Sequence, residues 1–315
     1  MRVRLLAGFG AVVLVVVALV TGSPVRAATT LPVSYNFLQN TIQVNTAASA
    51  PGENNWNCRP SAAHPRPVVL VHGTGGNAAT NWVTYAALLS NNGYCVFALT
   101  YGVPSIEASS PIKFGGLNSI QSSAVQLKSF VARVLSTTHA QQVDIVGHSQ
   151  GTYMPNYYVR FLGGAPYVHR YISLASLWDG TGTAVAGQLN AAGAPFGFTS
   201  DNFVPICAAC GQMVTGSKFA TLMRSGHVAS PTIQYLNIST RYDELVLPYT
   251  SGQLTGYSNM KNVVLQNYCA TDFTEHFEIA SDPNAAQFVL AFLNSGTVPT
   301  HIACKTVLPF NGFVF

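Results

Sequence analysis

A serine hydroxyl becomes a useful nucleophile near neutral pH only when an imidazole takes its proton, and this sequence offers a place for that transfer. Gly147-His148-Ser149-Gln150-Gly151 has the G-x-S-x-G spacing of a nucleophile elbow, in which serine occupies a strained turn between a strand and a helix. Glycines two positions to either side suit that turn, because side chains there would collide with the crossing strand and helix. The apolar run 143–146 leads straight into the pentapeptide and a helical stretch, 153–162, follows it. Earlier, the run 68–71 ends in His72-Gly73-Thr74-Gly75-Gly76. Glycines let such a turn approach a reacting carbonyl closely, so the backbone N–H groups of Thr74 and Gln150 are expected to form an oxyanion hole. The chemistry these residues suit is acyl transfer through Ser149.

The elbow predicts the chain order serine, acid, histidine. Two histidines stand late enough. His276 lies between an apolar run and a helix start at Asp282, whereas His301 sits in the tail beside Cys304, so His276 is the expected general base. Asp243, in Thr240-Arg241-Tyr242-Asp243-Glu244, follows the run 233–238 and would hold the imidazole in its useful tautomer. Glu244 and Asp179 are the alternatives, and Asp272, Glu275 and Glu278 stand too near His276 for the usual arrangement. His72 and His148 flank the site and read as structural or pocket-lining, while His64, His139, His169 and His227 have no partner pattern. Gly180-Thr181-Gly182 lacks the third glycine of a dinucleotide turn, and no metal-ligand spacing is present. The expectation is therefore no cofactor and no metal.

Such residues must be positioned by a scaffold. The apolar runs 68–71, 95–101, 143–146, 171–177, 233–238 and 262–266 read as strands, several of them apolar on both faces like buried parallel strands. Between them, Ile120, Ala124, Leu127, Val131 and Val134 recur at helical steps, and Asp282-Pro283 opens a helix that would bury Phe288, Val289, Phe292 and Leu293. Trp82 and Tyr85, spaced with Leu88 and Leu89, read as core. Pro155 would fall just past the first turn of a helix begun near Gln150, so a local adjustment is expected there. The fold class is α/β, a mostly parallel sheet with helices on both faces, as in the α/β-hydrolase fold. Residues 28–59 read as an irregular arm, and 178–231, rich in Gly, Ala and Pro, as a small cap where substrate selection would lie.

At 315 residues the chain fits one α/β domain after a leader. Arg2 and Arg4 precede the apolar run 5–20 and the small-residue site Val25-Arg26-Ala27, the pattern of a signal peptide cleaved after Ala27. An uncleaved anchor is the alternative, but the run is shorter than the roughly 20 residues a spanning helix needs. Three of the 15 basic residues fall within 1–27, which leaves 12 against 11 acidic ones and a net charge of +1. With charged residues at 8% and no Lys/Arg cluster, nucleic acid is excluded as a partner. The six cysteines follow the leader, and an exported chain favours disulfides, expected in chain order: Cys58–Cys95, Cys207–Cys210 and Cys269–Cys304. Half a zinc site or a redox pair is the competing reading of Cys207-Ala-Ala-Cys210. A secreted, extracellular monomer with no membrane span after cleavage is expected.

Segments from about 56 to 276 resemble the secreted bacterial triacylglycerol lipases called class 2 lipases. They include Cys58-Arg59-Pro60, His72-Gly73-Thr74-Gly75, the stretch 93–102, the stretch 143–151 and Tyr242-Asp243. The resemblance implies a Ser149, Asp243, His276 triad acting without cofactor on esters of medium or long acyl chains, at a lipid-water interface. Gly73 to Gly75 and Ser149-Gln150 also resemble the oxyanion-hole residues of fungal lipase B. Thr152 departs from the family, which often has a small residue there, and this bears on pocket shape. Rival readings are a polyester or cutin hydrolase with the same triad, an acyltransferase, and a non-catalytic lipid-binding protein on the same fold.

Overall fold

Short β-rich runs that are apolar on both faces can bury both only inside a layered α/β fold, and they do so here. The structure, a computed structural model, describes residues 30–44, 49–105, 113–182, 207–310 and 312–313. The expected signal peptide and part of the expected cap lie outside the described residues. Strands β1 (Val68–Val71), β2 (Val96–Leu99), β3 (Val143–His148), β4 (Val168–Leu174), β5 (Gln234–Ser239) and β6 (Met260–Val264) form one sheet in the order β2-β1-β3-β4-β5-β6. Every pairing is parallel. Val71 at the end of β1 pairs with Gly147 near the end of β3, so the turns after both strands emerge at the same carboxyl edge.

Helices cover both faces. Val69, Val71, Phe97 and Ile145 pack toward α3 (Ile120–Thr138) and α4 (Met154–Phe161), whose Ile120, Leu127, Val131, Val134 and Tyr158 are buried. Leu70, Val146, Ile172 and Leu236 meet Trp82, Tyr85 and Leu89 of α2 (Ala78–Asn91) and Phe288 and Phe292 of α7 (Pro283–Ser295). Each large apolar side chain taken fully from water stabilises the fold by about 1.5 to 3 kcal/mol before chain entropy is counted. Both α2 and α7 have built starts: Asn77 forms a capping box with Thr80, and the Asp282 carboxylate accepts the Ala285 N–H ahead of Pro283. This is the α/β-hydrolase fold.

Three expectations shift. The run 171–177 is displaced toward 168–174 because Ala175 leaves the strand with φ of 51°. The run 262–266 begins and ends earlier because Leu265 and Gln266 enter a 3-10 turn. The arm 28–59 is not wholly irregular, since Phe37–Val44 form helix α1. Its tie is tertiary: Asn40 donates to the Ser34 carbonyl and to the Thr84 hydroxyl, and Glu278 accepts the Phe37 N–H. In the cap, α5 (Ala208–Met213) and α6 (Lys218–Arg224) are short, and Thr181 bridges to Val214. Hairpin strands β7 (Val307–Leu308) and β8 (Gly312–Phe313) close the chain.

The cysteines pair as Cys58–Cys95, Cys207–Cys210 and Cys269–Cys304. Among the described residues no helix is long and apolar enough to cross a membrane.

Candidate active site

The elbow forms because β3 ends against a turn that tolerates no bulk. A Cβ on Gly147 would be driven into the Gly151 carbonyl, and one on Gly151 into the carbonyl of Val71. Ser149 holds the left-handed backbone angle φ of 54°, which costs a non-glycine residue of order 1–3 kcal/mol and recurs at functional sites. The chain then makes a 3-10 turn over Ser149–Thr152 before α4. That turn is the expected adjustment at Pro155, which now falls within the first turn of α4 where its missing N–H costs nothing.

Three side chains from three turns at the carboxyl edge converge. His276 Nε2 lies 2.9 Å from Ser149 Oγ. On the other side of the ring, Nδ1 lies 2.9 and 3.1 Å from the two carboxylate oxygens of Asp243. Asp243 also accepts the Leu245 N–H at 3.0 Å and the Val246 N–H at 2.7 Å. Burial alone would raise its carboxyl, but the His276 charge and these hydrogen bonds outweigh that and hold it below the usual aspartate range. For His276 burial acts downward, and the charge and hydrogen bond of Asp243, aided by Glu244 and Glu275, lift the imidazole above its ordinary value. Asp179, one alternative acid, pairs instead with Arg224 at 2.7 Å. Glu244, the other, accepts the backbone N–H of His276 at 3.1 Å and does not meet its ring nitrogens. His301 is exposed in the tail.

Thr74 and Gln150 face each other across the two turns, with the Thr74 hydroxyl donating to Gln150 Oε1 at 2.7 Å. Among the described residues, the backbone N–H of neither Thr74 nor Gln150 has a hydrogen-bond partner. His72 is fully buried beneath the turn, stacked on Tyr101 at 4.2 Å, with Tyr101 N–H donating to its Nε2 and its Nδ1 2.7 Å from the Gly73 carbonyl. Burial pulls that imidazole down to about 4. Thr152 is also buried and points under the elbow: its hydroxyl donates to the Ser149 carbonyl.

Ser149, His276 and Thr74 open into a cavity of about 500 Å³ with apolar walls that include Phe37, Leu177, Met213, Val246 and Phe277. Two contributors were not legible as site residues. Phe37 belongs to α1, in a segment without periodicity, and Asn81, which accepts the Gly73 N–H at 3.1 Å, is an ordinary helix residue in sequence. A polar residue directly after a capping box and facing the glycine turn was the available signal for Asn81. Among the described residues no cluster of side chains could hold a metal ion.

A sequence model of the lipases of class 2 matches residues 65–289. The chain belongs to the class 2 lipase family. Residues 65–289 take in the elbow, Asp243 and His276 alike. Among solved structures, Aspergillus fumigatus lipase B is similar at 17% identity and TM-score 0.57, over 79% of this chain and 56% of that one. A Bacillus licheniformis lipase in its mature form is similar at 16% identity and TM-score 0.51, over 75% of this chain and 93% of that one. At such identities the likeness concerns the fold, and this class 2 lipase spans little more than half of the fungal protein's length.

Proposed function

We propose that this class 2 lipase is an exported serine hydrolase that cleaves esters of apolar acyl chains, triacylglycerols included, through an acyl-enzyme on Ser149. The observation that carries the reading is the His276 Nε2 to Ser149 Oγ approach of 2.9 Å, backed by Asp243, at the wall of an apolar cavity. Ser149 Oγ attacks the ester carbonyl carbon while His276 Nε2 takes the hydroxyl proton, and Asp243 stabilises the imidazolium. The carbonyl oxygen becomes an oxyanion that accepts from the N–H groups of Thr74 and Gln150; each such donor is worth about a hundredfold to a thousandfold in rate. Collapse breaks the bond to the alcohol oxygen, which leaves with the His276 proton. Water then repeats the sequence on the acyl group, releasing the acid and restoring Ser149. Three disulfides agree with an exported chain.

The test is Ser149→Ala, assayed on emulsified triglyceride and short soluble esters and probed with a fluorophosphonate. The variant should fold, lose turnover and lose labelling. Wild-type turnover in the variant would remove Ser149 from the mechanism, and a native protein that neither labels nor turns over would favour lipid binding alone. Polyester film as substrate, and alcohols offered as acceptors, separate polyesterase and acyltransferase activities from triglyceride hydrolysis.

A further inference from the structure

Beyond the triad, the peptide that carries His276 is gripped on both sides. Its N–H donates to Glu244 Oε2 at 3.1 Å, and its carbonyl oxygen lies 2.8 Å from Nε2 of His148, the residue before the nucleophile. Building on the reading of His276 as general base, we propose that His148 is a positioning residue, whose Nε2–H fixes the His276 carbonyl and so locks the base loop to the elbow.

A carbonyl oxygen only accepts, so the proton in this contact must belong to His148. The ring's other nitrogen lies 3.1 Å from Asn81 Oδ1, which already accepts the Gly73 N–H. Both neighbours are acceptors and a neutral imidazole has one N–H to give; the shorter contact, to the carbonyl, takes it, and Nδ1 then faces Asn81 Oδ1 with no proton between them. His148 is 2% exposed, and burial first, then the nearby His276 charge, pull its pKa down to about 3. Neutrality matters because its ring centroid is only 5.2 Å from that of His276, which becomes cationic during turnover. A second cation there would oppose the imidazolium that Asp243 and the neighbouring Glu244 and Glu275 favour. Buried and away from solvent, the ring is placed to hold and not to shuttle protons. Gly73 packs against the same ring: a Cβ there would lie 3.2 Å from His148 Nδ1. One imidazole thus touches the glycine turn, the elbow and the base loop. His276 without it would keep its Asp243 partner but lose one of two anchors on its peptide, and small misplacements of reacting groups cost rate steeply.

Two variants and one spectrum test this. His148→Phe fills the space without a donor and should lower kcat by about tenfold to a hundredfold with little change in KM. The acidic limb of its kcat/KM profile should move to lower pH, because a loosened ring gains less from Asp243. His148→Gln, whose amide can donate, should recover most of kcat and the wild-type limb. A Phe variant, or a Gln variant if the Phe form fails to fold, that separates from this order overturns the proposal: wild-type kcat and limb for Phe, or loss without recovery for a folded Gln form. In the wild type, nitrogen NMR should find His148 as the Nε2–H tautomer, without titration between about pH 5 and 8. An Nδ1–H tautomer, or titration in that range, overturns it too. Ser149→Ala assayed alongside keeps the two claims apart: an inactive serine variant beside an unaffected His148→Phe defeats only the positioning role, whereas turnover by the serine variant defeats the underlying reading.

Discussion

The Thr152 hydroxyl donates to the Ser149 carbonyl at 2.7 Å and accepts the Leu177 N–H at 3.2 Å, joining the elbow to the segment beyond β4. The residue that departs from the family's usual small side chain therefore braces the nucleophile turn from below. Thr152→Val keeps the shape and removes both hydrogen bonds, leaving the Leu177 N–H without its acceptor. A loss of about 1 to 3 kcal/mol is expected in urea unfolding. An unchanged midpoint and slope would show that the brace carries no energy.

Activity and stability should respond to His276 in opposite directions. As the proposed base, His276 must be neutral to accept the serine proton, and its pKa lies above the ordinary histidine value of 6.5, so kcat/KM should fall as pH drops through that raised value. A pKa raised by folding adds stability that is complete below the unfolded pKa and is lost as pH rises through the folded one. Asp243→Asn should lower kcat by about four orders of magnitude and shift any residual limb downward. A pH-rate profile with the limb left in place would separate Asp243 from the imidazole.

Glu278 gives a second, independent pH effect. Burial, opposed by the Phe37 N–H bond, pushes its carboxyl up to about 9 from 4.5, and its Oε1 is buried without a partner among the described residues. Its sign is that of a raised pKa: stability declines as pH climbs from about 4.5 to about 9. Glu278→Gln imitates the protonated acid and should raise Tm at pH 8 while leaving it nearly unchanged at pH 4. Equal shifts at both pH values would place the effect elsewhere.

The Cys58–Cys95 bond closes a separation of 37 residues and ties the end of the arm to the residue before β2. Loop-closure entropy assigns such a cross-link about 3 to 4 kcal/mol. The double variant Cys58→Ser, Cys95→Ser should show that loss in urea unfolding at matched slope. A loss below about 1 kcal/mol would mean that packing, with Arg133 set 3.8 Å over the Trp56 ring, holds the segment unaided.

Much of the scaffold was legible because its signals are local. The apolar run that becomes β1 is continuous, the α3 stripe repeats every three or four residues, and Asp282-Pro283 marks a helix start through atoms two or three residues apart. The convergence of Ser149, Asp243 and His276 was foreshadowed by chain order, because each follows a strand whose end lies at one edge. What escaped depends on distant backbone. Helix α1 is short, capped by Asn36, whose Oδ1 accepts the Gln39 N–H, and held by Thr84 and Glu278 from elsewhere in the chain. The contact of Glu244 with His276 goes to a main-chain N–H, which leaves no trace in residue types.

The tail past α7 also has a stake in the chemistry. Cys304 is bonded to Cys269, the Val307 carbonyl takes the Phe273 N–H at 2.9 Å, and the Val307 N–H returns to Thr271. The last stretch of chain is thus a buttress for the loop that delivers the imidazole. Trimming it to simplify expression would disturb the proposed proton acceptor from the far end of the sequence.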